Sequence, residues 1–559
     1  MWRVERERFN KCNAKVQRKT VITKRSLVIS FRIFVRHILP NAAGQQAGTH
    51  ASGLRYCSRF TVCEADIRMP DRPLSILFVS SEVYPFAKTG GLADVSHALP
   101  IALRELGHDV RIMLPKYGNV SERRNRIHEI NRLKEVPIAV GETVELATIK
   151  SSSMQNPRTK VQAYVTTNYT YFDSKKGLYA DPITGEPYNN DERFIFFDRS
   201  VVTTCLLLGW FPDIIHCNAW QTGLIGAYIR TMHKSEFANT RLVFTIHNAA
   251  DQGIFPATSL EKTGLPKEVY PRITHAKQLN FTKAGVEFAD AITTVSPTYA
   301  KEITKDKVIS GGLHSLFRAH HIVGILNGID TYHWNPKTDP FIPHHFDSTS
   351  WKEGKALNKK ALRDRLKLPH EEKVPLLATI ARLGEAKGIP LLVEVLPALL
   401  RESVQVVLLG EGDPSLSATL EKLAAKHPGK LAFIAGFDEE LAHLIEAGAD
   451  MYLMPSLYEP CGLNQMYSMV YGTVPIVRAT GGLVDTVEDF DPDARTGTGF
   501  VFRNYAADDF LSAIKRALAL YRKPTYWAVL VQNCMSQDFS WSTSARQYEA
   551  IYREILARR

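Results

Sequence analysis

Arg382 and Lys387 stand five positions apart in Ala381-Arg382-Leu383-Gly384-Glu385-Ala386-Lys387-Gly388, directly after the apolar run Leu376–Ile380. Two cations on a loop at the end of a strand can clamp a diphosphate. Arg grips it through a planar two-point fork and Lys as a point charge. Further on, Met454-Pro455-Ser456-Leu457-Tyr458-Glu459-Pro460-Cys461-Gly462-Leu463 follows another strand and opens a helix. A carboxylate at Glu459 can accept hydrogen bonds from sugar hydroxyls, or it can complement the helix macrodipole. Cys461 reads as a small packed residue, because no His lies close in sequence to activate a thiolate. Leu408-Leu409-Gly410-Glu411-Gly412-Asp413 is a further glycine turn suited to a ribose or a phosphate.

Two glycine hexamers repeat one another: Thr89-Gly90-Gly91-Leu92-Ala93-Asp94 and Thr480-Gly481-Gly482-Leu483-Val484-Asp485. Each follows an apolar strand and opens a helical pattern, where unpaired N–H groups suit an anion and glycine lets a ligand approach the backbone. The repeat predicts two similar α/β halves whose loops line one cleft. Polar residues just after strands are the ones to inspect: Glu82, His216, Asn218, His247 and Asn248. His247 in Thr245-Ile246-His247-Asn248 reads either as a satisfied core histidine or as a group facing the cleft.

Strands must position these residues. From Leu74 onward apolar runs alternate with helical patterns, at Leu74–Val79, Val110–Leu114, Asp213–His216, Leu242–Ile246 and Ala291–Val295. A second series runs through Ile322–Leu326, Leu376–Ile380, Val404–Leu409, Leu431–Ile434, Met451–Met454 and Val474–Val477. Such alternation predicts parallel strands with crossover helices, and ligands beyond the strands' carboxyl ends. A boundary is expected near 320, giving domains at 69–320 and 321–540 and a last helix within 541–559. In that helix Tyr548, Ile551, Tyr552 and Ile555 share one face. Ser151 to Asn190 reads as a long polar loop at a binding mouth, where Tyr164, Tyr169, Tyr171, Tyr179 and Tyr188 could stack on sugar rings.

The chain has 559 residues, too many for one ordinary core, with 45% apolar and 23% charged residues. Its net charge of +11 is concentrated in residues 1–68, where 14 Lys/Arg face 4 Asp/Glu, leaving only +1 for the rest. The globular part therefore has no basic footprint for nucleic acid. No uncharged apolar run approaches the ~20 residues that span a bilayer. Seven scattered cysteines without CxxC spacing argue against disulfides or structural zinc and for a reducing, cytoplasmic setting. Residues 1–68 read as a basic leader. A start codon placed too far upstream of Met69 is the first reading, an organelle transit peptide the second and a functional basic arm the third.

Taken together, these motifs resemble the bacterial-type glycogen (starch) synthases, which are retaining glycosyltransferases. The resemblance runs in order through Lys88–Val95, Ile246-His247-Asn248 with Gln252-Gly253, Thr294–Ala300, Leu326-Asn327-Gly328-Ile329-Asp330 with Trp334, Arg382 with Lys387, Glu459–Leu463 and Thr480–Leu483. It implies an α/β fold of two Rossmann-like domains facing a central cleft, the GT-B type, with the last helix crossing back to the first domain. It implies transfer of glucose from ADP-glucose to the non-reducing end of an α-1,4-glucan, with no metal and no cofactor. The implied catalytic residues are His247, Arg382, Lys387 and Glu459. The donor side is implied to include Lys88, Gly90, Gly91, Phe437, Cys461, Gly462, Thr480 and Gly481, with Phe437 against the adenine. The acceptor side is implied to include Glu82, Asp94 and Asn248.

Three departures from the family pattern stand out. Asn218-Ala219-Trp220 replaces the usual His-Asp-Trp, Asp251 replaces an aromatic residue, and His314 stands where an acid is common. They cluster on the acceptor side, which predicts retained donor binding with reduced turnover or glucan handling. Two alternatives to the synthase stay open on the sequence: a catalytically weakened glucan-binding homologue, and a related transferase using UDP-glucose.

Overall fold

A computed structural model describes residues 72–156 and 159–558. The leader 1–68, with every expectation attached to it, lies outside the described residues. Asp71–Arg559 forms one compact unit built on two large sheets.

The first sheet is ordered Ile322–Gly324, Ala291–Thr294, Arg241–Ile246, Ile214–Asn218, Ser75–Val79, Asp109–Pro115, Lys160–Thr167, Thr143–Gln155 and His128–Glu129. Pairing is parallel from Ile322–Gly324 as far as Lys160–Thr167 and antiparallel beyond it. Ile76 through Val79 are all buried, as expected for a central strand covered on both faces. Helix Gly91–Glu105 follows it and buries Val95, Leu99 and Leu103 at helical spacing. The second sheet is parallel throughout, in the order Leu431–Ala435, Gln405–Gly410, Leu376–Ile380, Met451–Met454, Val474–Arg478 and Phe500–Phe502.

Two expectations are corrected. Ile322–Gly324 hydrogen-bonds to Ala291–Thr294, so the first sheet continues past 320 and the second series starts at Leu376. The stretch from Ser151 is not a long loop. Thr143–Gln155 and Lys160–Thr167 pair antiparallel with Ser151 opposite Tyr164, Tyr169–Asp173 forms one π-helical turn, and the longest irregular part of this stretch among the described residues is 174–189. Tyr164 is a buried strand residue accepting from Arg111, Tyr171 is buried, and Tyr179 hydrogen-bonds Glu82; Tyr169 alone of the five is largely exposed. The polar residues mixed into this antiparallel pair have the look of a loop composition.

Helix Trp541–Ala557 lies against the first sheet. Its Tyr552 hydroxyl meets His216 Nδ1 at 2.7 Å, and Arg241 Nε donates to the Ile555 carbonyl at 3.2 Å. No helix among the described residues is long and apolar enough to cross a membrane.

Candidate active site

The parallel strands of each sheet reverse their order at one point, and each reversal opens a crevice beyond the strand ends. In the first sheet it lies between Ser75–Val79 and Ile214–Asn218; in the second, between Leu376–Ile380 and Met451–Met454. The loops leaving these four strands carry Glu82 and Gly90, Asn218 and Ala219, Arg382 and Lys387, and Glu459.

At the second crevice Lys387 Nζ donates to Glu459 Oε2 at 2.6 Å, joining the two loops across the reversal. Glu459 is only 4% exposed and also accepts from Ser456 Oγ at 3.1 Å. Arg478 Nε steadies that loop by donating to the Ser456 carbonyl at 2.7 Å. Arg382 is exposed and makes no hydrogen bond or ion pair among the described residues. A guanidinium held at a strand end with no partner has its whole donor fork free for an anion. Phe437 is 66% exposed on the loop after Leu431–Ala435, with a ring face open for stacking. Cys461 is buried, which raises its thiol to about 12 and leaves it inert as a nucleophile.

At the first crevice Glu82 is buried and spent on its own loop. It accepts from the Thr89 amide at 2.6 Å, the Thr89 hydroxyl at 2.7 Å, the Gly90 amide at 3.3 Å and the Tyr179 hydroxyl at 2.7 Å. Its place is that of a residue shaping the glycine loop. Lys88 pairs with Asp94 at 2.7 Å. His247 Nε2 lies 3.0 Å from Asn218 Oδ1. The Asn218 amide nitrogen already donates to the Val79 and His216 carbonyls, both at 3.2 Å, so its oxygen faces the imidazole. His247 therefore carries its proton on Nε2 and keeps Nδ1 as an acceptor. Asn248 holds Asp251 at 2.9 Å, and Gln252 Nε2 ties the loop to the Ser310 carbonyl at 2.9 Å.

Burial lowers His247 to about 4 and His216 to about 3. Both are neutral at pH 7, so the His247 imidazole offers hydrogen bonds and no charge. The unfolded imidazoles take up protons from about pH 6.5 downward while the folded ones stay neutral to their lowered values. Their contribution to stability is thus complete above about 6.5 and lost as pH falls. Denaturant titrations of the wild type and His247→Asn check this. Between pH 6.5 and 5 the wild type is expected to lose up to about 1.4 kcal/mol per pH unit more than the variant. Glu446, raised to about 8 by burial, slopes the other way in both proteins and cancels in the difference.

The two glycine pairs are not equivalent. A Cβ at Gly90 would meet nothing within 4 Å, whereas one at Gly481 would fall 1.9 Å from the Glu459 carbonyl oxygen. The Gly481 N–H already donates to Glu302 Oε1 at 3.0 Å. Gly90 stands open, whereas Gly481 is a close backbone contact that supports the Glu459 turn. Thr480, beside it, is buried.

Residues from both halves meet here. Ser296 Oγ donates to the Pro460 carbonyl at 2.7 Å, Asp485 accepts from the Thr298 amide and hydroxyl at 2.8 and 2.7 Å, and Gly91 packs on Leu463. Tyr458 lies within electrostatic reach of Asp251 on the first side and of Arg382 and Glu459 on the second. It links the two crevices, a role the sequence reading missed. Its position one residue before Glu459 was the available signal.

Ala219 has φ 60° and ψ 173°, a conformation costly to any residue with a Cβ. Ala219→Gly is expected to raise unfolding free energy by about 1 kcal/mol, read from the denaturation midpoint.

Two doubly wound α/β domains with a cation pair, a carboxylate and an open glycine loop meeting at their strand ends define a two-domain glycosyltransferase of the GT-B fold. Residues 75–319 match the starch synthase catalytic domain and residues 361–528 the glycosyl transferases group 1 family. The chain is 44% identical over 490 residues to a glycogen synthase of Anaeromyxobacter sp. (strain Fw109-5), covering 87% of this chain and all of that one. It is 43% identical to glycogen synthase 1 of Methylococcus capsulatus, covering 87% and 97%. The solved catalytic domain of starch synthase IV from Arabidopsis thaliana, bound to ADP and acarbose, aligns with a TM-score of 0.80 at 33% identity, over 87% of this chain and all of that one. The chain belongs to the glycogen and starch synthase family.

Proposed function

We propose that the protein is a glycogen synthase that moves glucose from ADP-glucose to the non-reducing end of an α-1,4-glucan, with retention at the anomeric carbon. The observation that carries this reading is the unpartnered Arg382 beside the Lys387–Glu459 pair at the strand reversal of the second sheet. The starch synthase IV relative bound to ADP and acarbose supports a nucleotide donor with a glucan-like acceptor.

Cleaving the bond between the anomeric carbon and the diphosphate oxygen builds positive charge on the sugar ring and negative charge on ADP. Arg382 and Lys387 meet that developing anion in fixed positions, and stabilisation of this kind is usually the largest catalytic contribution. Glu459 accepts from sugar hydroxyls while holding Lys387 in line. Neutral His247, oriented by Asn218, hydrogen-bonds the donor glucose. Lys88 and the Gly90–Gly91 loop approach the donor from the first half, Phe437 stacks on the base, and Asn248 lies toward the glucan. Asp94 reaches the site through Lys88, and the backbone at Cys461 and Gly462 borders the donor sugar. The leaving phosphate takes the proton of the incoming hydroxyl. A cytoplasmic location belongs to the same reading.

Transfer of labelled glucose to glycogen by the full chain, with ADP-glucose and UDP-glucose side by side, tests the proposal. Incorporation from ADP-glucose is expected. Incorporation from UDP-glucose alone would reassign the donor, and bound glycogen without incorporation from either would make the chain a glucan-binding homologue.

A further inference from the structure

His333, Glu439 and His443 each place one potential ligand atom within 4.8 Å of the other two. They belong to neither crevice loop. His333 lies between the two sheets in sequence, beside Trp334. Glu439 and His443 stand four positions apart, one turn of the helix Glu439–Gly448. We propose that these three residues bind a divalent transition-metal ion, with zinc the best chemical match.

His443 carries the argument. It is fully buried, and its Nδ1 meets Asp339 Oδ2 at 2.7 Å. Its Nε2 is also buried and has no hydrogen-bond partner among the described residues. An orphaned buried ring nitrogen is uncommon and calls for a ligand. A carboxylate on one imidazole nitrogen is the arrangement that orients a metal-binding histidine and strengthens its other nitrogen as a donor. Here the carboxylate is itself held, since Asp339 accepts from the Tyr471 hydroxyl at 2.5 Å and the Phe341 amide at 2.9 Å. The imidazole stacks on Trp334 at 3.7 Å between ring centres, and Tyr467 stacks on Trp334 at 4.0 Å. The ring is fixed before any ion arrives, as a built site requires.

The other two ligands are partly exposed. His333 Nε2 and Glu439 Oε1 are 3.4 Å apart, with side chains 31% and 44% exposed. Zinc ligands at about 2.0–2.1 Å in a tetrahedron sit roughly 3.3 Å from one another. The His333–Glu439 separation already meets this, and rotation of those two exposed side chains closes the remaining distance to His443. Two imidazoles and a carboxylate suit zinc, and three protein ligands leave a fourth position for water. A plain ion pair between His333 and Glu439 explains their contact but leaves His443 Nε2 without a partner. Glu439 begins its helix two residues after Phe437, so an ion here would tether the loop that presents the exposed aromatic ring.

The test is titration of Co²⁺ into full-length protein freed of metal with EDTA, followed by displacement with Zn²⁺. One equivalent of Co²⁺ is expected, showing the visible bands of a tetrahedral nitrogen–oxygen site without a thiolate charge-transfer band. His333→Ala and Glu439→Gln alter half-exposed side chains. Each is expected to weaken binding at least tenfold while the far-UV circular dichroism is kept. The proposal is overturned by the absence of saturable uptake, by uptake unchanged in both variants, or by a spectrum carrying only the thiolate band, which would place the ion on cysteines.

Discussion

Arg382→Ala lowers kcat for glucosyl transfer by about 10²–10³-fold and leaves the melting temperature where it was. The activity loss is that of a preorganised charge removed from a developing anion. The unchanged stability follows from geometry: Arg382 is exposed and has no hydrogen bond or ion pair to lose among the described residues. Exposed substitutions of this kind stay within about 0.5 kcal/mol. Lys387→Ala separates from it in one respect. It removes a cation of the same clamp, and it also strips a buried carboxylate of its 2.6 Å partner. A further destabilisation of about 1–3 kcal/mol is expected, moderated by the partial exposure of Lys387. Steady-state kinetics with thermal melts on both variants check the contrast. Equal melting shifts would mean that Glu459 does not depend on Lys387.

Gly481→Ala costs both stability and activity. Gly481 sits at φ 44° and ψ −131°, outside the regions open to residues with a Cβ. Backbone strain there costs about 1–3 kcal/mol. The new methyl would also lie 1.9 Å from the Glu459 carbonyl oxygen, and backbone does not yield as a flexible side chain does. Relief requires the Glu459 turn to move, and a displacement of about 1 Å at a reacting centre costs on the order of 10²-fold in rate. A drop in both denaturation midpoint and kcat is therefore expected. Gly90→Ala, by contrast, meets nothing within 4 Å, so its fold is expected to hold. A Gly481→Ala variant with native kcat would show that the turn is not rigidly supported from this side.

The fold was legible where physics writes it locally. Strands buried on both faces show as near-continuous apolar runs, as at Leu74–Val79, interrupted only by Ser75, and Leu376–Ile380, interrupted only by Thr379, and the residues that follow them reach the ligand end of a parallel sheet. The antiparallel pair Thr143–Gln155 and Lys160–Thr167 was not legible, because it mixes serines and threonines with its apolar residues and resembles a loop. The two glycine hexamers looked alike in sequence, yet one stands open and the other is closed by Glu302 and the Glu459 carbonyl. Nothing local distinguishes them, since their partners lie elsewhere in the chain. The same holds for the seam from Thr298 to Asp485, which joins residues 187 positions apart, and for His443, whose partner Asp339 is 104 positions away. Ala219 showed in sequence as a missing carboxylate; its positive φ could be seen only in three dimensions.

The central claim is that the second strand reversal holds a nucleoside diphosphate through a free guanidinium. Calorimetric titration of ADP into the full chain and into Arg382→Ala tests it most directly. One bound ADP is expected in the wild type, with affinity at least tenfold weaker in the variant. Equal affinity in the two proteins would contradict the claim and place the diphosphate elsewhere.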